Sequence, residues 1–193
     1  GVYFGAAQSN NWTDYPNIIK SVCGLKIFNN ATTGNLLIDD QSVRDQHVSA
    51  WPKGKVISVH AEEETILEIL ALVRKYRKHV HFLHISTAKE IGYLTAAKEE
   101  GLPVTIGVCP HHLWLTENDT ATLGSHGWMK PTLKTQADQD ALWQAIDSGI
   151  VDVVESDHAP HTLEEKSAEK PPYGVPGLET TLPLLFTAVH EGR

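Results

Sequence analysis

The sequence predicts an α/β fold in which helices cover a parallel sheet. Short apolar runs rich in β-branched residues recur along the chain, stretches with helical periodicity separate them, and polar residues able to do chemistry fall near the ends of the runs. Strands are expected at residues 2–5, 24–28, 56–60, 80–84, 104–108 and 151–155. Residues 62–78 read as an amphipathic helix, with Ile66, Ile69, Leu70 and Val73 on one face and a basic last turn that suits the helix dipole. Residues 88–100 repeat the theme and stop at Gly101, a left-handed cap position, with Pro103 just beyond. A third helix is expected over 138–147, and the irregular stretches 29–40 and 161–177 are long enough to be active-site loops. Periodicity leaves open a doubly wound sheet or part of an eight-stranded barrel. Lys26 lies late in its strand, and His60, His84 and Asp157 fall at or just past the C-terminal ends of theirs, the edge where barrel enzymes collect their chemistry.

Composition narrows the function classes. With 41% hydrophobic and 21% charged residues, the 193-residue chain can bury a continuous core, which argues against disorder. Sixteen basic against 24 acidic residues give a net charge of −8, and no stretch concentrates enough positive charge to track a phosphate backbone, so no nucleic-acid partner is expected. The apolar run 182–189 is interrupted by Pro183 and falls short of the roughly 20 residues of a membrane span, so no membrane association is expected. Cys23 and Cys109 show no paired spacing for a disulfide framework or a thiolate zinc site, which fits a reducing cytoplasm. The chain has no initiator Met and no secretory n-region or h-region, and is expected to be an internal piece of a longer protein.

Of the 11 histidines, His47, His79, His126 and His190 read as polar residues on surface helices or turns. His60 and His84 differ because each ends an apolar strand in a similar register. They are either half of a zinc site, presented from successive strands, or satisfied core histidines. Asp157 follows a strand and opens a rigid, His-rich turn, where a carboxylate can be a metal ligand, a general base or a helix cap. Lys26 sits in an otherwise apolar strand, where an unpaired ammonium is expensive to bury unless it snorkels to solvent. His111 and His112 follow a strand end and read as structural.

Residues 156–166 read Ser-Asp-His-Ala-Pro-His-Thr-Leu-Glu-Glu-Lys. Together with Gly101-Leu102-Pro103-Val104-Thr105, Cys109-Pro110-His111-His112-Leu113 and Pro176-Gly177-Leu178-Glu179-Thr180, they make the chain resemble the class I dihydroorotases of the amidohydrolase superfamily. Among these it is similar to the dihydroorotase domain of animal multifunctional pyrimidine-synthesis proteins. The resemblance covers essentially the whole chain, and the Ser-Asp-His-Ala-Pro-His signature is specific, because related allantoinases and hydantoinases typically replace its last His or its Ala. The resemblance implies an incomplete (β/α)8 TIM barrel forming one domain over residues 1–193, with the first strands and the C-terminal end lying outside the chain. Lys26 matches the lysine that is carboxylated to a carbamate and bridges two zinc ions. His60 and His84 match ligands of the second zinc, and Asp157 matches a ligand of the first that also serves as general base. His161 matches a residue that holds the substrate carboxylate. The backbone at Tyr173 and Gly174 falls where the family contacts the pyrimidine ring, and Lys130 stands where it often carries Asn or Arg. Thr32 and Thr33 match a mobile loop that closes over the substrate.

The implied activity is the zinc-dependent, reversible cyclisation of N-carbamoyl-L-aspartate to L-dihydroorotate, a step of pyrimidine biosynthesis in the cytoplasm. The implied assembly is a homo-oligomer or a complex with aspartate carbamoyltransferase. The His-x-His pair of the first zinc, with a substrate-binding Arg and Asn, lies outside the chain, so the chain by itself is expected to be inactive. Gly107 and Leu83 stand where relatives carry Glu and Cys, so the resemblance does not extend to a third zinc. The rival readings are another cyclic amidohydrolase, either allantoinase or dihydropyrimidinase, and a non-catalytic dihydroorotase-like subunit that scaffolds aspartate carbamoyltransferase.

Overall fold

The computed structural model describes residues 1–9 and 11–193. They form two compact units, the first of residues 1–83 and 92–105 and the second of residues 84–91 and 106–193.

In the first unit, β1 (Tyr3–Gly5), β2 (Gly24–Phe28), β3 (Val56–His60) and β4 (Val80–Phe82) pair in parallel in chain order. Val80 N–H donates to Pro103 O at 3.0 Å, at the entry to β5 (Val104–Val108). Parallel pairing demands long crossovers. These contain α1 (Tyr15–Ile18), α2 (Gln41–Ala50), α3 (Glu64–Tyr76) and the later turns of α4 (Ala88–Glu99). Side chains alternate along β2, so that Leu25 and Ile27 are fully buried while Lys26 and Phe28, on the opposite face, are only partly so. Ile66, Ile69, Leu70 and Val73 form the buried face of α3, as their spacing predicts, and the helix ends on Arg77 in a left-handed conformation. Gly101, with φ 72°, adopts the left-handed conformation anticipated after α4.

β4 ends at Phe82 instead of reaching residue 84, because His84 has φ 42° and leaves the extended conformation. A helix, α2, occupies residues 41–50, where no element was expected. Its N-cap Asp40 accepts from Ser42 N at 2.7 Å, and its buried face consists of Arg44, His47 and Val48. Arg44 spends its donors on Ile38 O at 2.8 Å, Asn29 O at 3.2 Å and Glu68.

His47 is therefore a core residue and not a surface one. It is 0% exposed, its Nε2–H donates to Ala7 O at 2.8 Å, and its Nδ1 accepts from the Tyr15 hydroxyl at 2.5 Å. Burial holds its pKa below the ordinary histidine value. A group whose folded pKa is depressed adds stability that is fully present above its unfolded pKa and is lost as pH falls toward the folded value. The melting temperature is accordingly expected to fall from about pH 7 to about pH 5, and His47→Gln to flatten that slope. Melting curves with the same slope in wild type and variant would rule out this role for His47.

In the second unit, Gly107 and Val108 of β5 pair in parallel with Val153 and Val154 of β6 (Val153–Val154). β6 is shorter than the 151–155 expected. Ahead of it, Asp152 turns its Oδ2 to accept from Ile106 N at 2.8 Å while its own N–H donates to Ile106 O. The helices are α5 (Pro110–Trp114), α6 (Thr120–Leu123), α7 (Gln136–Asp147), α8 (Leu163–Lys166) and α9 (Leu178–Glu191). α7 begins two residues earlier than expected because Thr135 and Asp138 form a capping box. Met129, Leu133 and Val175 form a small core, with Leu115 and Leu123 packed against it. Among the described residues, no helix is long and apolar enough to cross a membrane.

Candidate functional site

In the first unit, Lys26 and His60 share one face of the sheet. Lys26 and Phe28 lie two residues apart on β2, and Phe28 pairs in register with His60 at the end of β3. Lys26 Nζ lies 4.6 Å from the centroid of the Phe28 ring, and the His60 ring lies 6.1 Å from it on the adjoining strand. His60 is buried, with Nε2 2.9 Å from Glu62 Oε1. Thr32 is partly buried and Thr33 exposed in the segment after β2, whose return is fixed by Ile38 N–H donating to Phe28 O at 2.9 Å.

In the second unit, His84 follows a strand end and Asp157 follows β6, and both are non-glycine residues with φ 42°. Left-handed backbone is costly for such residues and concentrates where function requires it. His84 is buried and Asp157 exposed. The His84 N–H donates to Glu155 Oε1 at 2.7 Å. Glu155 therefore fixes the strained His84 backbone, a role that the sequence reading missed because a single Glu at a strand end carries no pattern.

Lys130, His161, Tyr173 and Gly174 lie together in the second unit. Lys130 Nζ stands 5.1 Å from the Tyr173 ring centroid, which itself stacks on Trp128 at 5.9 Å. His161 Nε2–H donates to Tyr173 O at 3.2 Å, and its Nδ1 lies 3.6 Å from Glu165 Oε2. Gly174 has φ 136°, and a Cβ there would meet Ala159 O at 2.6 Å; at Gly177 it would meet Ser156 O at 2.4 Å. Only glycine lets the 173–177 segment lie this close to the 156–161 turn. Lys166, also missed, is buried and ties the cluster from below, donating to Trp128 O and Pro172 O at 2.9 Å each. His158 Nδ1 accepts from Gly177 N and Leu178 N at the start of α9.

These donors are chemically suited to zinc. Two imidazoles and a carboxylate are ordinary zinc ligands, and carboxylation would turn Lys26 from a cation into an anionic oxygen donor. In the first unit Lys26 lies mid-strand in β2 and His60 ends β3, while in the second both donors lie just beyond strand ends on left-handed backbone.

No protein-family profile matches the chain. Over 191 residues it is 44% identical to the multifunctional protein CAD of Squalus acanthias, covering 98% of this chain and 8% of that protein. Over 155 residues it is 37% identical to the dihydroorotase of Shouchella clausii, covering 79% of this chain and 36% of that protein. Among solved structures, the L-hydantoinase (dihydropyrimidinase) from Arthrobacter aurescens matches with a TM-score of 0.89 at 22% identity, over 98% of this chain and 51% of its own. The inactive dihydroorotase-like domain of the Chaetomium thermophilum CAD-like multifunctional protein matches with a TM-score of 0.78 at 30% identity, over 97% of this chain and 52% of its own. The chain thus spans about half the length of these structures and a smaller part of the curated relatives. By sequence the chain is similar to the dihydroorotases, and by fold it matches a stretch of the α/β barrel of the solved cyclic-amide hydrolases.

Proposed function

We propose that the full-length protein bearing this chain is a cytoplasmic dihydroorotase, interconverting N-carbamoyl-L-aspartate and L-dihydroorotate. The observation that carries the reading is the gathering of Lys130, His161, Tyr173 and Gly174 around the turn that Asp157 opens, on a chain 37% identical to a named dihydroorotase. Lys26, His60, His84 and Asp157 are the residues that would hold two zinc ions, with Lys26 carboxylated. Zinc supplies acidification of water and polarisation of the cyclic amide carbonyl. Asp157 accepts the proton from the attacking water and delivers it to the leaving ring nitrogen. Lys130 offers its ammonium to the ring carboxylate, and His161 does the same by turning its Nε2–H from the exposed contact with Tyr173 O to the substrate, whose carboxylate separates dihydroorotate from dihydrouracil and allantoin. Thr32 and Thr33 belong to the loop that covers the substrate. Self-association or a complex with aspartate carbamoyltransferase is the corresponding assembly.

A charge-assisted hydrogen bond to a carboxylate is worth about 1.5–3 kcal/mol, so His161→Ala in the full-length enzyme is expected to lower kcat/KM for dihydroorotate by roughly ten- to a hundredfold. Zinc content, measured on the same preparation, should not change. Loss of zinc in the variant, or equal turnover of dihydrouracil by the wild type, would remove the carboxylate-recognition role. A second reading, a non-catalytic scaffold, is favoured by the 30% identity to a domain described as inactive. A full-length protein without dihydroorotate turnover at saturating zinc would decide for it.

A further inference from the structure

A cluster unused by the reaction lies where β5 meets α5. One ligand atom from each of Cys109, His111 and His112 lies within 4.8 Å of the other two. Cys109 is fully buried at the N-cap of α5, and the rings of His111 and His112 pack edge to face with centroids 4.5 Å apart. His112 Nε2–H donates to Pro131 O at 3.0 Å, which fixes the tautomer and leaves Nδ1 as a bare lone pair. That Nδ1 and the Nε2 of His111 are shielded from solvent and have no hydrogen-bond partner. Buried polar atoms are almost always satisfied, so two orphaned imidazole nitrogens in one cluster require an explanation.

We propose that Cys109, His111 and His112 form a binding site for a thiophilic divalent transition metal, with zinc as the natural occupant. The donor set is one soft sulfur and two imidazoles, the combination that zinc and cobalt(II) accept in tetrahedral sites. The carbonyl of Pro131 does what a backbone carbonyl does behind a ligating imidazole, orienting the ring through its distal N–H. Burial lowers the pKa of His112 to about 3 and of His111 to about 4, so both rings are neutral and free to ligate at neutral pH. Burial also raises that of the Cys109 thiol, as do the nearby charges of Glu155 and Asp157. The thiol thus stays protonated until metal arrives, and metal binding breaks the S–H bond, releases one proton to solvent and forms the metal–sulfur bond. The same two carboxylates favour an incoming cation. A cavity of about 430 Å³, lined by Pro110, His111, Met129 and Ser156 among others, adjoins the cluster on its His111 side. Tetrahedral bond lengths call for ligand-atom separations of about 3.3–3.6 Å, so binding draws the atoms in from their present separations of up to 4.8 Å.

The proposal is independent of the dihydroorotase reading, because the residues assigned to that chemistry include no sulfur. Metal-free protein is titrated with cobalt(II). The expected result is a near-ultraviolet thiolate-to-cobalt charge-transfer band that is abolished by Cys109→Ser and retained in Cys23→Ser. Cobalt that binds without such a band, or a band that survives Cys109→Ser, would overturn it. If Cys109→Ser fails to fold, X-ray absorption of the zinc-loaded wild type decides the matter. A sulfur scatterer at about 2.3 Å supports the site, and a nitrogen-and-oxygen shell alone refutes it.

Discussion

Asp157→Asn in the full-length protein is expected to lower kcat for dihydroorotate hydrolysis by about 10²- to 10⁴-fold, the range over which a positioned general acid–base group contributes. The substitution keeps the shape of a side chain that sits on left-handed backbone at the start of the turn it opens, so local folding should survive. The proton-accepting carboxylate is lost. Asn tolerates positive φ better than most residues, which makes this variant gentler on the backbone than Asp157→Ala. Steady-state rates at saturating substrate test it, and a kcat within threefold of wild type would remove Asp157 from the proton-transfer role.

Trp51→Ala is expected to be the most damaging single change to the first unit, costing about 3–5 kcal/mol of unfolding free energy. Trp51 is fully buried and follows the last residue of α2. Its ring stands edge to face on Tyr15 with centroids 4.8 Å apart, and its Nε1–H donates to Lys55 O at 3.1 Å. Removing it leaves a large cavity beside a hydrogen-bonded Tyr15–His47 pair that cannot collapse inward without losing partners. Since domains are stable by only about 5–15 kcal/mol, this single loss is a large fraction of the total. Denaturant titration should show the midpoint moving with little change in slope. A loss under about 1 kcal/mol would mean that the site collapses around the smaller residue.

How much of this was legible in the sequence depended on whether a buried face was apolar. The strands at 24–28, 56–60 and 104–108 emerged with the expected boundaries because short apolar runs announce them, β-branched in the last two. α3 emerged because Ile66, Ile69, Leu70 and Val73 repeat at helical spacing, even though its ends fray inside the 62–78 anticipated. α2 was invisible for the opposite reason, since Arg44 and His47 occupy its inward face and are held there by Glu68 and Ala7, far away in sequence. Of the proposed site, the chemically distinctive residues could be picked out from strand ends and from the Ser-Asp-His-Ala-Pro-His signature. The supporting residues could not. Lys166 looks like a solvated charge in Glu-Glu-Lys yet is buried and donates to two carbonyls, and Glu155 acts on a backbone amide 71 residues away.

The left-handed backbones of His84 and Asp157 set the chain's thermostability against its chemistry. At both positions glycine would relieve a conformational cost, and at both it would delete a side chain proposed to bind metal. At the exposed Asp157, selection for heat resistance alone would reward the exchange, since strain released there is recovered as folding free energy, while at the buried His84 lost packing offsets part of that gain. A descendant freed from catalytic duty, retained only for its shape, would be under no pressure to keep either residue. The amino acids at 84 and 157 therefore record whether a lineage still uses the site, in a way that the core residues around Trp51, needed in both circumstances, do not.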